Sequence, residues 1–252
     1  VGHSFMSIGG KNSFDNTTSA NLSLVTDNNR AGFYIYGQNR YRQPFDYDGD
    51  GYSELPVLHN QTLGLNSFLK LNPYSKLTLQ YHGIHEFRPR GGNMLDHIAH
   101  EANIAEQTEH NIQGGGLSYD YFSPNRENRV NAYFSFQSTA RKSYYGGIGE
   151  GTPDDIEAAQ KAYGITHGLT YILGAQYIHS FDKLIFMPSD LTLGAEYNHD
   201  GLKDIILGYN RDFRQNARIG SLFFQNEWKN KPTQFCGPHN FQSACQHTLQ
   251  SD

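Results

Sequence analysis

The chain has 252 residues, of which 37% are hydrophobic and 18% charged, and it carries a formal net charge of −5. Both fractions fall below the roughly 45–50% and ~25% of ordinary soluble domains, yet 17 Tyr and 16 Phe exclude a disordered chain, which would be poor in aromatics. The charge balance excludes a basic nucleic-acid footprint, and no apolar run is long enough to cross a bilayer as a helix.

The opening VGHSFMSIGG lacks the basic start and apolar run of a secretory signal, and a chain that opens on Val1 is expected to have its natural N-terminus upstream. Cys236 and Cys245 both lie near the end, so the body of the chain offers neither a disulfide scaffold nor thiol chemistry.

Nine strands are predicted by alternation with a period of two: 17–26, 30–42, 57–71, 75–87, 108–122, 128–144, 165–181, 190–199 and 214–228. Leu77, Leu79, Tyr81, Ile84 and Phe87 run with polar residues between them, and Gly83 and Ile84 read as one slip. Val130, Ala132, Phe134 and Phe136 repeat the pattern. So do Ile165, Leu169, Tyr171, Leu173, Ala175, Tyr177 and Phe181, opposite Thr166, Gly168, Thr170, Gly174, Gln176 and Ser180. Several of these segments exceed the usual ~5–6 residues and reach the ~9–11 that a membrane strand needs.

The connections alternate in length. TDNNR, NPYS, PNREN and KNKP are short, whereas 43–56, 88–107, 145–164 and 200–213 are long, with a moderate link at 182–189. Short turns on one side and long loops on the other mark an outer-membrane barrel. The expected fold is therefore an all-β, antiparallel up-and-down transmembrane β-barrel with long extracellular loops and short periplasmic turns, of which this chain is a part. Tyr34, Tyr36, Tyr81, Tyr121, Phe122, Tyr144, Tyr145, Tyr177 and Phe181 suit the aromatic girdles of such a wall. A large soluble β-protein would instead need one aliphatic face buried against a second layer.

The first long loop reads PFDYDGDGYSELP. Asp46, Asp48 and Asp50 stand at alternate positions, Gly51 allows the sharp turn, Tyr52 offers its backbone carbonyl and Glu54 follows. Calcium takes six to eight hard oxygens, and such a run curls its carboxylates onto one point. An EF-hand would place a bidentate Glu where Val57 stands, so other ligands must complete the shell. Asp96, Glu101 and Glu106 of the next long loop are the candidates.

The pairs His82/His85 and His97/His100 read as structural or surface residues, since on a regular strand His82 and His85 point to opposite faces. HEANIAEQTEH (100–110) looks briefly helical. GTPDDIEAAQKAYG (151–164) reads as a loop helix capped by Thr152 and ended by Gly164. Gly114–Gly116 sits within a strand pattern and implies a bend or close packing. No nucleophile elbow, phosphate loop or zinc-protease motif occurs, so no enzyme is expected.

Taken together, DYDGDGYSELP, HEFRPRGGN, AEQTEHNIQGGGLSYDYFS, FDKLIFMPSDLTLGAEYNHDGLKDIILGYNR and IGSLFFQNEWKN resemble TonB-dependent outer-membrane receptors of the Bacteroidetes type, most of all the cobalamin receptors. The resemblance covers about residues 10–231. It implies a barrel of about 22 strands, a plug domain, coupling to a TonB complex, calcium held by Asp46, Asp48, Asp50 and Glu54, a corrinoid ligand and a surface lipoprotein partner. The chain contains no plug, no TonB box and fewer than half of those strands, so it is expected to act only within the parent receptor, in the bacterial outer membrane among its lipids. Haem or siderophore uptake is the rival within the same architecture. A secreted calcium- and carbohydrate-binding β-protein is the rival outside it. Residues 1–231 are expected to be barrel. The tail 232–252, with both cysteines and no alternation, is expected to be out of frame or truncated sequence.

Overall fold

The computed structural model describes residues 1–8, 13–91 and 98–229. They form one antiparallel sheet of ten strands in simple sequence order. The strands are β1 (Gly2–Ile8), β2 (Ser13–Val25), β3 (Ala31–Arg42), β4 (Leu58–Asn72), β5 (Ser75–Gly91), β6 (Ala105–Phe122), β7 (Asn128–Gly146), β8 (Tyr163–Leu184), β9 (Met187–Ile206) and β10 (Arg211–Trp228). Each strand pairs with the next one along the chain, so the sheet is an up-and-down wall, the partial barrel that the alternation implies.

Four differences from the sequence reading have physical causes. There are ten strands, because β1 pairs with β2 from Gly2↔Ser19 to Ile8↔Ser13; GHSFMSI mixes apolar and polar residues on both faces and so carries no alternation. The moderate link at 182–189 shrinks to a tight turn, with Leu184 opposite Met187 and Ile185 at φ 64°. The long loop at 200–213 is absent: β9 and β10 pair up to Ile206↔Arg211, and a short 3-10 turn, Leu207–Tyr209, joins them. No slip occurs at Gly83–Ile84, since β5 keeps its register there with both neighbours. Phe87 thus stays in phase with Leu77, and Ile84 faces the other way.

The register sorts the side chains into two unlike faces. On one, Leu79, Leu117, Phe134, Leu173 and Tyr197 stand side by side across five strands, and Leu77, Tyr119, Ala132, Ala175 and Ala195 lie beside them. On the other stand Thr78, Ser118, Tyr133, Gly174 and Glu196, next to Gln80, Gly116, Ser135, Ile172 and Asn198 and then His82, Gly114, Gln137, Thr170 and Asp200. Leu173 and Leu222 of the apolar face are 55% and 87% exposed, and no second layer covers that face among the described residues. On β8, Leu169 and Phe181 are twelve residues apart. That is about 40 Å of strand at ~3.4 Å per residue, or about 30 Å of height at a ~40° tilt, the thickness of a bilayer's hydrocarbon core.

The expected girdle residues divide between the faces. Tyr81, Tyr121, Tyr177 and Phe181 lie on the apolar face, as alternation with Leu79, Tyr119, Ala175 and Leu173 requires. Tyr34, Tyr36 and Phe122 lie on the polar face instead. There rings cover glycines directly across the ladder: Tyr36 over Gly64, Phe68 over Gly32, His82 over Gly114, Tyr133 over Gly174 and Phe223 over Gly194. A methyl group at Gly64 would lie 2.1 Å from the Tyr36 ring, so only glycine leaves room. Gly114 of the Gly114–Gly116 run is one of these close-packing positions, inside a continuous strand.

Buried apolar packing collects at the long-loop end. Ala99, Ala102, Ala105, Tyr144 and Ala162 form one cluster. It lies where β6 begins, β7 ends and β8 begins, under the 3-10 turn Ala99–Glu101 and the helix α1 (Pro153–Lys161). HEANIAEQTEH is therefore extended from Ala105, with only that short turn before it.

Candidate metal centre at the loop end

The connection from β3 to β4 closes on itself. Phe45 and Leu55 exchange both backbone hydrogen bonds at 3.1 Å, which makes a neck below the acidic tip. Gly49 and Gly51 take φ of 81° and 86°, a region that a side chain disfavours, and so let the chain coil twice within a few residues. Asp46 accepts from the N–H groups of Gly49 at 2.6 Å and Gly51 at 3.0 Å. Asp50 accepts from the Tyr52 N–H at 2.7 Å, and Glu54 accepts from the Tyr47 N–H at 2.6 Å.

The loop draws four carboxylates together: one oxygen from each of Asp46, Asp48, Asp50 and Glu54 lies within 4.8 Å of all the others. Oxygens gathered that closely can share one metal ion. Asp48, Asp50 and Glu54 are exposed and Asp46 is half-buried, which leaves the tip open to an ion from solution.

The loop is fastened to the wall below it. The Arg42 Nε donates to the Pro56 carbonyl at 3.2 Å, the Ser13 hydroxyl donates to the Pro44 carbonyl at 3.0 Å, and the Arg90 guanidinium lies 5.4 Å from the centre of the Tyr52 ring. Asp15 accepts a two-pronged ion pair from Arg40, at 2.9 and 2.6 Å, just beneath.

Four of the sequence candidates, Asp46, Asp48, Asp50 and Glu54, thus converge. Tyr52 sits in the same coil, bonded to Asp50 through its N–H. Glu101 and Glu106 are not among the clustered carboxylates, and Asp96 falls outside the described residues. His82 and His85 occupy opposite faces of β5. His100 bonds to the Tyr163 hydroxyl at 3.0 Å in the cap, and His97 lies outside the described residues.

The loop helix starts as its Thr152 signal requires, but it ends at Lys161 with Ala162 as its cap, because β8 begins at Tyr163 and takes Gly164 into the strand. The Thr152 hydroxyl accepts from the Asp155 N–H at 3.2 Å while Asp155 accepts from the Thr152 N–H at 3.1 Å, a closed capping box. The bond from the Thr152 hydroxyl holds the Asp155 carboxyl below the usual aspartate range.

A set of residues that sequence reasoning passed over lies on the polar face beneath the acidic loop: Arg40 and Arg42 on β3, Arg88 and Arg90 on β5, and Arg141 on β7. The signal was present as arginines two apart in NRYR and FRPR, which a strand must place on one face.

No protein-family model matches the chain, and no curated protein matches it. Among solved structures, it is similar to a mutant of the ferric enterobactin receptor PfeA from Pseudomonas aeruginosa, with a TM-score of 0.59 and 16% identity. The match covers 91% of this chain and 36% of that one, so the chain spans about a third of the receptor's length and shares the architecture of its wall.

Proposed function

We propose that the chain is part of the wall and loops of a TonB-dependent ligand-uptake receptor in the bacterial outer membrane. The supporting observation is the ladder itself: one face apolar over about 30 Å, the other mainly polar with rings packed over glycines, and no layer covering the apolar face among the described residues. Lipid is the layer that suits such a face. The long loops then point outside and the short turns into the periplasm. A plug domain fills the lumen, a TonB complex supplies the energy, and a surface lipoprotein meets the loops. The reading is transport and not catalysis.

In this reading the acidic loop takes calcium through Asp46, Asp48, Asp50 and Glu54, with the Tyr52 carbonyl and water completing the shell. Four like charges at that spacing repel one another, and a hard dication offsets the repulsion. Calcium then stiffens the loop over the mouth and orders the ligand site. The ligand proposed is a corrinoid, on the strength of the sequence resemblance. A ferric siderophore is the second reading, favoured by the receptor to which the wall is similar.

The test is calorimetric titration of the whole receptor with calcium, then with cyanocobalamin. Asp48→Asn with Asp50→Asn should abolish calcium binding and weaken ligand binding about tenfold or more. Unchanged calcium binding in the double variant would remove the metal assignment. Binding of a ferric catecholate in place of cyanocobalamin would transfer the ligand to the second reading.

A further inference from the structure

The five arginines beneath the acidic loop share the inward face. The ladder runs Arg40↔Asn60↔Glu86↔His110↔Arg141, and Arg42, Arg88 and Arg90 follow at alternate positions towards the loops. From β3 to β7 there are four inter-strand steps, about 19 Å at ~4.8 Å each. The group therefore spans the mouth of a wide barrel and does not form one point.

Its charge is incompletely matched. Asp15 holds Arg40, and Glu86 reaches Arg88 at 3.7 Å. Arg42 spends its bond on the Pro56 carbonyl; it is repelled by Arg40 and Arg88 and attracted by Asp15 and Glu86, two carboxylates already engaged by Arg40 and Arg88. Arg90 rests on the Tyr52 ring, and Arg141 has no carboxylate partner among the described residues. The Nε atoms of Arg90 and Arg141 are buried and unbonded among the described residues. A guanidinium fork matches a planar or tetrahedral oxyanion with two parallel bonds.

The geometry points to an oxyanion subsite in which Arg42, Arg90 and Arg141 take carboxylate or phosphate groups of the transported ligand under the acidic loop. The inference rests on the receptor reading and deepens it. A ligand gripped this way carries at least one such group, and the metal-bound loop closes over it from above. Arg90 joins the two parts, since its guanidinium meets the loop through Tyr52 while it faces the lumen.

The experiment titrates the whole receptor in detergent and calcium-free buffer with two probes, inorganic pyrophosphate and benzene tricarboxylate. The wild type should bind at least one, more weakly as salt rises; which one binds separates phosphate from carboxylate chemistry. Arg42→Gln with Arg90→Gln and Arg141→Gln should weaken that binding roughly tenfold or more. Arg141→Gln alone, which removes no carboxylate contact from the described wall, should give a smaller loss of the same sign. Arg214→Gln with Arg218→Gln, on the outward face of β10, should change nothing. No binding of either probe by the wild type, full binding by the triple variant, or an equal loss in the outward variant would overturn the subsite. Membrane extraction and calcium titration of the same receptor, measured separately, test the receptor reading, so failure of the subsite is distinct from failure of that reading.

Discussion

The apolar wall and the cap at its loop end are held by different forces. The wall has large apolar side chains without an interior: Leu117, Phe134 and Leu173 face outward and are 46%, 41% and 55% exposed. Its order comes from the unbroken ladder of backbone bonds and, in the proposed setting, from lipid on one side. The cap is built as a soluble domain is, with Tyr144 only 1% exposed among Ala99, Ala102, Ala105 and Ala162. The same strands serve both regions. In the proposed setting a strand that leaves the bilayer must find a new apolar partner, and short loop elements supply it.

The largest expected break in this comparison is a charge placed on the wall. Leu117 and Ser118 are neighbours in β6 with opposite facings; Leu117 stands between Leu79 and Phe134, Ser118 between Thr78 and Tyr133. Leu117→Arg should cost about 2–4 kcal/mol of folding stability in a bilayer. Ser118→Arg, facing the lumen, should cost far less. Denaturant titration of the receptor in lipid vesicles measures both, and equal losses would refute the assignment of faces.

The cap should respond to volume. Tyr144→Ala should destabilise it by about 3 kcal/mol and raise hydrogen exchange in 99–105 and α1, with β4 to β7 unchanged below the loops. The Tyr144 hydroxyl is buried without a partner among the described residues. Tyr144→Phe removes that orphan at nearly constant volume and should be neutral or slightly stabilising.

The smallest effect concerns pH. Asp155 is half-buried, and the Thr152 hydroxyl bond depresses its carboxyl. A depressed acid contributes its stability above its unfolded value of about 4 and loses it as pH falls through the lower folded value. Exchange of the α1 amides should therefore quicken below about pH 4. In Asp155→Asn the same amides should exchange faster at neutral pH and show no such step.

The sequence made the apolar belt of the wall legible and lost the strands above it. Within the belt one face is apolar, so Val130, Ala132, Phe134 and Phe136 announce a strand. Beyond the belt both faces are polar, as in Asp200, Lys203 and Asp204, yet the ladder continues to Ile206↔Arg211. Alternation reports what a strand faces and is silent where both sides are wet. That is why 200–213 reads as a loop. The acidic loop was legible because its residues are local. The inward arginines were not singled out, because their grouping depends on pairing across β3 to β7.

The central claim is that the apolar face lies in an outer membrane with the acidic loop and α1 outside. It is tested most directly by cysteine labelling of intact cells in a Cys236→Ser, Cys245→Ser background. Asp154→Cys stands in the α1 loop and Asp27→Cys in the turn between β2 and β3, both exposed and at opposite ends of the wall. An impermeant maleimide should label Asp154→Cys in intact cells, and Asp27→Cys only after the outer membrane is opened. Equal labelling of the two in intact cells, or recovery of the receptor in the soluble fraction, would contradict it.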